Sequence, residues 1–265
     1  MSPKFTLVIP TRNRQRTAIF AIESAINCCD DELQIIVSDN SDSGHLRDEI
    51  AKRGWLSSVT YIRPDSVLSM RDNWEFALDA AEGDYVTFIG DDDAVMPDCF
   101  LWARRVLAIN EVDAIQGGYA IYKWDDYPFI GRRNYLQITF GNSIITQHDP
   151  RSLLRQAVSY ERRTGTGPGL YYGFVSRSFL LRMKELRGRW LVDAIPDFDS
   201  GYAVLMHASK IVTGERNVFV SGHSASSNSG AMRLASSLRK SLTRFAAEGS
   251  AAREDVVLGD EPDLV

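Results

Sequence analysis

The feature that most constrains this chain is a repeated unit in its N-terminal part. Short, near-continuous apolar runs each stop at a cluster of polar residues and give way to a stretch with helical spacing. Phe5–Ile9 ends at Pro10 and the cluster Thr11-Arg12-Asn13-Arg14, and Gln15 to Cys28 then carries Ala18, Ile22, Ala25 and Ile26 at helical intervals. Leu33–Ser38 runs into Asp39-Asn40-Ser41-Asp42-Ser43-Gly44, a group of turn formers, with a helix expected from His45 to Arg53. Val59–Ile62 is a third run, and Met70 to Ala81 follows as a helix with Trp74, Leu78 and Ala81 on one face. Tyr85–Ile89 is the clearest strand; Gly90, Asp91, Asp92 and Asp93 close it, and a helix is expected over Pro97 to Asn110.

Strands that are apolar on both faces and alternate with helices predict a mostly parallel central sheet covered on both sides, a Rossmann-like three-layer α/β/α sandwich. In such sheets ligands sit beyond the carboxyl ends of the strands. The Thr11–Arg14, Asp39–Gly44 and Gly90–Asp93 clusters all occupy that position, so they are expected to converge on one cleft. Beyond residue 111 the pattern weakens. Ala114–Tyr122 and Phe174–Ser176 read as strands and Arg177–Leu186 as a helix; Pro196 is followed by Asp197-Phe198-Asp199 and then a helix through Ala208. Lys210–Thr213 and Val218–Val220 read as a closing pair of strands, and residues 123–150 show no clear period.

Bulk properties narrow the classes. The chain has 265 residues, 44% hydrophobic and 25% charged, the profile of an ordinary globular α/β domain. Its net charge of −5 argues against a nucleic-acid partner. Cys28, Cys29 and Cys99 have no disulfide or metal-ligand spacing and read as reduced residues of a cytoplasmic protein. The N-terminus lacks a signal-peptide pattern and no apolar run is long enough to span a bilayer.

Three consecutive carboxylates at a buried strand end repel one another, and each needs a partner. A divalent cation shared with phosphate oxygens resolves the cost, and hard oxygen ligands suit Mg2+ or Mn2+. On an extended segment Asp91 and Asp93 share a face and Asp92 points away. The plainer reading is a solvated acidic turn.

Five segments in order and spacing, IPTRNR, VSDNSDSG, MRDNWEFALDAAEGDYVTFIGDDDAVMP, YYGFVSRSFL and IPDFDSGYAVL, resemble family 2 glycosyltransferases of the GT-A fold and of the bacterial surface-polysaccharide kind, over about residues 4–222. The resemblance implies a metal-dependent, inverting enzyme that moves a sugar from a nucleotide-diphosphate sugar, with UDP-sugars favoured, to a saccharide or lipid-linked acceptor. It puts Pro10, Thr11 and Arg12 around the base and gives Asp39 a hydrogen bond to it, although a turn-capping role for Asp39 is equally open. Arg71 would contact the nucleotide or diphosphate, or stand as an exposed arginine at a helix start, while Trp74 reads as core. Asp93 would hold the metal, Asp91 the ribose or the metal, and Asp92 the sugar or a support position. The family's general base is an aspartate within a Glu-Asp pair; here the sequence departs to Pro196-Asp197, with Asp199 two residues on. Asp197 is the first candidate and Asp199 the competing one, and either could instead be a helix N-cap.

His223 could complete the metal shell or be structural, and His223–Gly230 could close over the diphosphate or be a linker. Met232–Phe245 places Leu234, Leu238, Leu242 and Phe245 on one helical face among basic residues, a helix that either lies on an anionic membrane or packs on the domain or a second subunit. The expected organisation is therefore a transferase domain over 1–230, with a nucleotide half (1–110) and an acceptor half (111–230), followed by an amphipathic helix and acidic tail (231–265). The protein is placed in the cytoplasm or at the inner membrane face. Two other readings share these features: a non-catalytic nucleotide-sugar-binding protein, and a sugar nucleotidyltransferase, whose glycine-rich basic loop is missing from TRNR.

Overall fold

A computed structural model describes residues 2–141, 144–159 and 167–227. The elements in chain order are β1 (Phe5–Thr11), α1 (Gln15–Ile26), β2 (Leu33–Asp39), α2 (His45–Lys52), β3 (Thr60–Ile62), α3 (Met70–Asp79), β4 (Tyr85–Phe88), β5 (Ala94–Val95), α4 (Cys99–Leu107), β6 (Ala114–Lys123), β7 (Tyr135–Gln137), β8 (Ile145–His148), α5 (Pro150–Val158), β9 (Gly173–Ser176), α6 (Arg177–Arg187), α7 (Pro196–His207) and β10 (Ile211–His223). A short 3-10 turn, Ile130–Arg132, precedes β7.

The strand order is β3-β2-β1-β4-β9-β6-β10-β5. β1 to β4 are parallel, and β9 enters antiparallel between β4 and β6. Alternation along the strands builds two cores. Phe5, Leu7 and Ile9 face one cluster with Ala18, Ile22, Leu46, Ile50, Phe100 and Val106 of α1, α2 and α4. Val8, Ile36 and Phe88 face the other, with Trp74, Leu78, Leu153, Phe179 and Leu205 of α3, α5, α6 and α7. Two helical layers thus cover one sheet, as the near-continuous apolar strands predict. Trp74 is core as expected, stacked on Phe88 at 4.2 Å between ring centroids.

Local signals set the helix ends. The Ser69 and Ser176 side chains accept from Asp72 N and Phe179 N, and Asp149 caps α5 just before Pro150. Gly188 ends α6 in the left-handed conformation, φ 76°. Two expectations need correction. The closing pair of strands is one strand, β10, whose ladder to β6 slips between Thr213 and Asn217 and again before Phe219. Gly214, Glu215 and Arg216 resemble a hairpin turn in sequence, but here they form the irregularity that lets a single strand continue. Residues 123–150 also hold more order than their sequence suggests: β7, β8 and the start of α5. The helix expected over Met232–Phe245, the domain limit at 230 and the acidic tail all lie outside the described residues. Among those described, no helix is long and apolar enough to cross a membrane.

Candidate active site

The chain runs outward from β1 to β3 and returns to β4 beside β1. The strand order therefore reverses between β1 and β4, the place where open α/β sheets bind ligands. Thr11 ends β1 there. It pairs with Asp39 in the ladder, and its hydroxyl donates to Asp91 Oδ2 at 2.7 Å. The three polar clusters thus meet, as the sequence predicts.

The aspartates are all nearly buried, at 2%, 6% and 3% exposure, so each carboxylate needs its own partners. Asp91 takes Thr11 Oγ1 and an ion pair from Arg14 Nη1 at 3.0 Å. Asp92 Oδ2 accepts from Ser224 N (3.1 Å) and Ser224 Oγ (2.7 Å), and its Oδ1 receives no donor among the described residues. Asp93 Oδ2 accepts from Gly90 N and the Tyr171 hydroxyl, both at 2.5 Å, and its Oδ1 from Gly222 N at 2.7 Å. A Cβ at Gly90 would lie 2.8 Å from both Asp93 Oδ2 and Tyr171 Oη; one at Gly222 would meet Asp92 O at 1.6 Å. Both glycines are therefore required by close approach. Tyr172 adopts φ 57°, a left-handed backbone that costs a bulky residue about 1–2 kcal/mol and is a form of strain that gathers at functional sites.

The charge balance is lopsided. Burial, then the neighbouring Asp93 and Asp91, push the Asp92 carboxyl up to about 7. Burial also raises Asp93, against the hydrogen bonds from Tyr171, Tyr172 and the backbone. Burial opposes the charge on Arg14, but Asp91 and Asp92 outweigh it and hold its pKa above the usual value. Among the described residues Arg14 is the cation that contacts this cluster, so there three carboxylates in a buried site face one guanidinium.

The other expected residues sort as follows. Pro10 and Arg12 flank Thr11 at the end of β1. Asp39 is fully buried, accepting from Ser41 N at 3.1 Å and the Tyr61 hydroxyl at 2.6 Å, so it caps its own turn. It also lines a cavity of about 170 Å³ between the Asp39–Asp42 loop and residues 63–67. Arg71 sits in the first turn of α3, 7% exposed and paired with Asp72, so it is not the exposed helix-start arginine of the plainer reading. His223 lies between Gly222 and Ser224, which both donate to the aspartates; its own ring is 6.3 Å from that of Tyr127. Among the described residues, no three His, Cys, Asp or Glu side chains are grouped to hold an ion by themselves.

Asp197 and Asp199 lie in the first turn of α7. Neither is its N-cap, which is Ile195 followed by Pro196. Ser200 Oγ accepts from Leu170 N at 3.1 Å and donates to Asp197 O. Leu170 O in turn accepts from Phe88 N in β4, and the next residue is Tyr171. This chain of contacts fixes the α7 N-terminus against the segment that holds Asp93. Asp199 is bound by Arg187 Nη1 at 3.0 Å and by Val192 N. No side chain donates to Asp197 among the described residues, and burial raises its pKa.

Sequence reasoning missed Arg14, Tyr171, Gly222, Ser224 and Trp124, whose Nε1 donates to Asp92 O at 2.9 Å. Arg14 and Tyr171 lie inside the quoted segments TRNR and YYGF, but no rule of spacing ties them to a carboxylate some 80 residues away.

This geometry defines the GT-A class of nucleotide-sugar transferase folds, and solved structures share it. Staphylococcus aureus TarS 1–349 in complex with UDP-GlcNAc aligns with a TM-score of 0.58 at 15% identity, over 92% of this chain and 66% of that one. GalNAc-T7 with UDP, GalNAc and Mn2+ aligns with a TM-score of 0.57 at 13% identity, over 84% of this chain and 43% of that one. The chain thus spans just under two thirds of the TarS 1–349 fragment, and 39% of a longer TarS chain. No curated protein matches the sequence significantly. The sequence profile of glycosyl transferase family 2 matches residues 6–184, well over half of the chain. The protein belongs to that family, whose members are glycosyltransferase enzymes.

Proposed function

We propose that this protein transfers a sugar from a nucleoside diphosphate sugar, by preference a UDP-sugar, to a saccharide or lipid-linked acceptor. The reaction is dependent on Mn2+ or Mg2+, inverts the anomeric centre, and serves surface-polysaccharide assembly at the cytoplasmic face of the membrane. The observation that carries this reading is the trio of buried carboxylates facing one guanidinium at the strand-order reversal.

The donor set fits a hard divalent cation. The three aspartates offer carboxylate oxygen, they carry surplus negative charge, and Asp92 Oδ1 receives no donor among the described residues. Mg2+ and Mn2+ sites of this kind commonly use one or two carboxylates plus substrate phosphates, so no three-residue cage is needed. Asp93 and Asp91 would hold the ion, with His223 as a further ligand. When bound, it would neutralise the diphosphate and stabilise the charge of the leaving group. The cavity beside Asp39, with Pro10, Thr11 and Arg12, would take the base, and Arg71 would support the nucleotide from α3. Arg14 screens Asp91, and Asp92 supports the sugar. Asp197 is the better candidate for the general base: no side chain among the described residues donates to it, whereas Asp199 is committed to Arg187. A carboxylate raised by burial accepts a proton from the acceptor hydroxyl more readily than an ordinary aspartate.

The test is a titration of UDP, GDP, CDP and dTDP with Mn2+, Mg2+ or a chelator, read as thermal stability. A ligand at 100 times its dissociation constant adds about 2.7 kcal/mol. One nucleotide stabilising only with metal, and failing on Asp93→Ala, supports the reading. No shift under any condition removes it.

A further inference from the structure

The protein as a whole is acidic, with a net charge of −5, yet no aspartate or glutamate occurs between Asp126 and Asp149, where Arg132, Arg133 and His148 lie. The same stretch carries the most exposed apolar surface of the described chain. Every residue from Phe129 to Gly141 is exposed. Ile130 stands 77% and Phe140 93% in solvent, with Phe129, Tyr135 and Leu136 half exposed. The backbone here is held in place: β7 pairs with β6 from Ile121 to Lys123, Asn217 Nδ2 donates to Thr139 O at 2.8 Å, and Arg133 Nε donates to Tyr127 O at 2.8 Å. The apolar side chains are therefore presented on an anchored projection.

We propose that the Phe129–Gly141 segment docks on an anionic lipid bilayer, with Phe129, Ile130 and Phe140 entering the interface and Arg132 and Arg133 meeting the lipid phosphates. Contiguous exposed apolar residues mark an interaction surface, and the charge pattern selects the occupant. Large apolar side chains interleaved with arginine, in a stretch that has no carboxylate of its own and meets Glu215 only at its Gly141 end, match the headgroup boundary of an acidic membrane. A projecting strip needs no complementary cavity on a bilayer. A symmetric contact through this segment would bury Arg132 and Arg133 against a copy of a stretch that has no carboxylate of its own to pair with them. The root of the segment adjoins the site, since Trp124 Nε1 holds Asp92 O, so docking would bring the aspartate end of the sheet towards the membrane. The proposal stands on surface chemistry and does not rest on the transfer reading.

The experiment is co-sedimentation of the full chain with phosphatidylcholine vesicles and with vesicles that also contain phosphatidylglycerol. Binding is expected only to the anionic vesicles. At about 1 kcal/mol per arginine near a charged surface, the R132A/R133A variant should bind about thirtyfold more weakly. The I130S/F140S variant should lose binding as well. A cooperative thermal unfolding transition like that of the wild type shows that each variant is folded. If both variants sediment like the wild type, the contact lies elsewhere in the chain and the proposal fails. It fails equally if the wild type does not bind the anionic vesicles; a dimer in light scattering that I130S/F140S turns into monomer would then assign the surface to a second copy. Failure of the nucleotide titration would leave the vesicle result intact.

Discussion

Replacing Asp92 with asparagine should stabilise the unliganded protein, because the described residues around it hold more negative charge than the one guanidinium among them matches. Aspartate ordinarily titrates near 3.8, and Asp92 near about 7. At about 1.4 kcal/mol per pH unit, keeping it ionised in the native state costs about 4 kcal/mol, shared with Asp91 and Asp93 because the three charges repel. The sign follows from the raised folded pKa: between about pH 4 and pH 7 the native state holds more protons than the unfolded chain, so stability falls as pH rises. Asparagine keeps an oxygen for Ser224 N and Ser224 Oγ, but a neutral acceptor forgoes about 1–2 kcal/mol of those bonds. The net gain at about pH 8 should be about 2 kcal/mol, or a rise of about 4–8 °C in Tm for a domain of this size. The gain should shrink on acidification and vanish or reverse near about pH 4. Urea unfolding of both proteins across this range measures the difference directly. With UDP and Mn2+ added, the order should invert, since the wild type recovers the charge match and the variant cannot. A variant less stable than the wild type at every pH would show that the charge is already compensated without an ion, and the electrostatic case for the metal would collapse.

Other consequences are sharper in direction than in size. Asp197→Ala should lower kcat about 10²- to 10⁴-fold while leaving stability and nucleotide binding near wild type; Asp199→Ala should cost about 3 kcal/mol in urea unfolding, because Arg187 is left nearly buried without its anion. The reverse pattern would transfer the base role to Asp199. Because burial raises Asp197, the acid limb of the kcat profile should fall at a higher pH than for an exposed aspartate and disappear in Asp197→Asn. Tyr171→Phe removes a hydrogen bond to Asp93 and should cost about 1–3 kcal/mol, with metal-dependent nucleotide binding weakened in calorimetry. Gly222→Ala should give insoluble or unfolded protein, read by circular dichroism, since its Cβ would meet Asp92 O at 1.6 Å.

Much of the first half of this fold was legible because parallel strands buried on both faces must be apolar at every position. Runs such as Phe5–Ile9 and Tyr85–Ile89 then announce both the strand and the layer of helix on each side. The convergence of Thr11, Asp39 and Asp91 was legible for the same reason, since strand ends of a parallel sheet share one edge. β7, β8 and the single long β10 were not. Short edge strands and a slipped ladder carry no clean period, and Gly214-Glu215-Arg216 looks like a turn.

The sequence by itself determined the class of fold, the family and the three carboxylates at one strand end, because these depend on local pattern and on order along the chain. The tertiary structure decided what those carboxylates are bound to. Tyr171, Gly222 and Ser224 reach them from segments 78, 129 and 132 residues away. It also separated Asp197 from Asp199, two alike residues in one helical turn, through an arginine that only packing brings to one of them. Spacing in a chain says which residues share a face; burial and the partners across the fold set their charge.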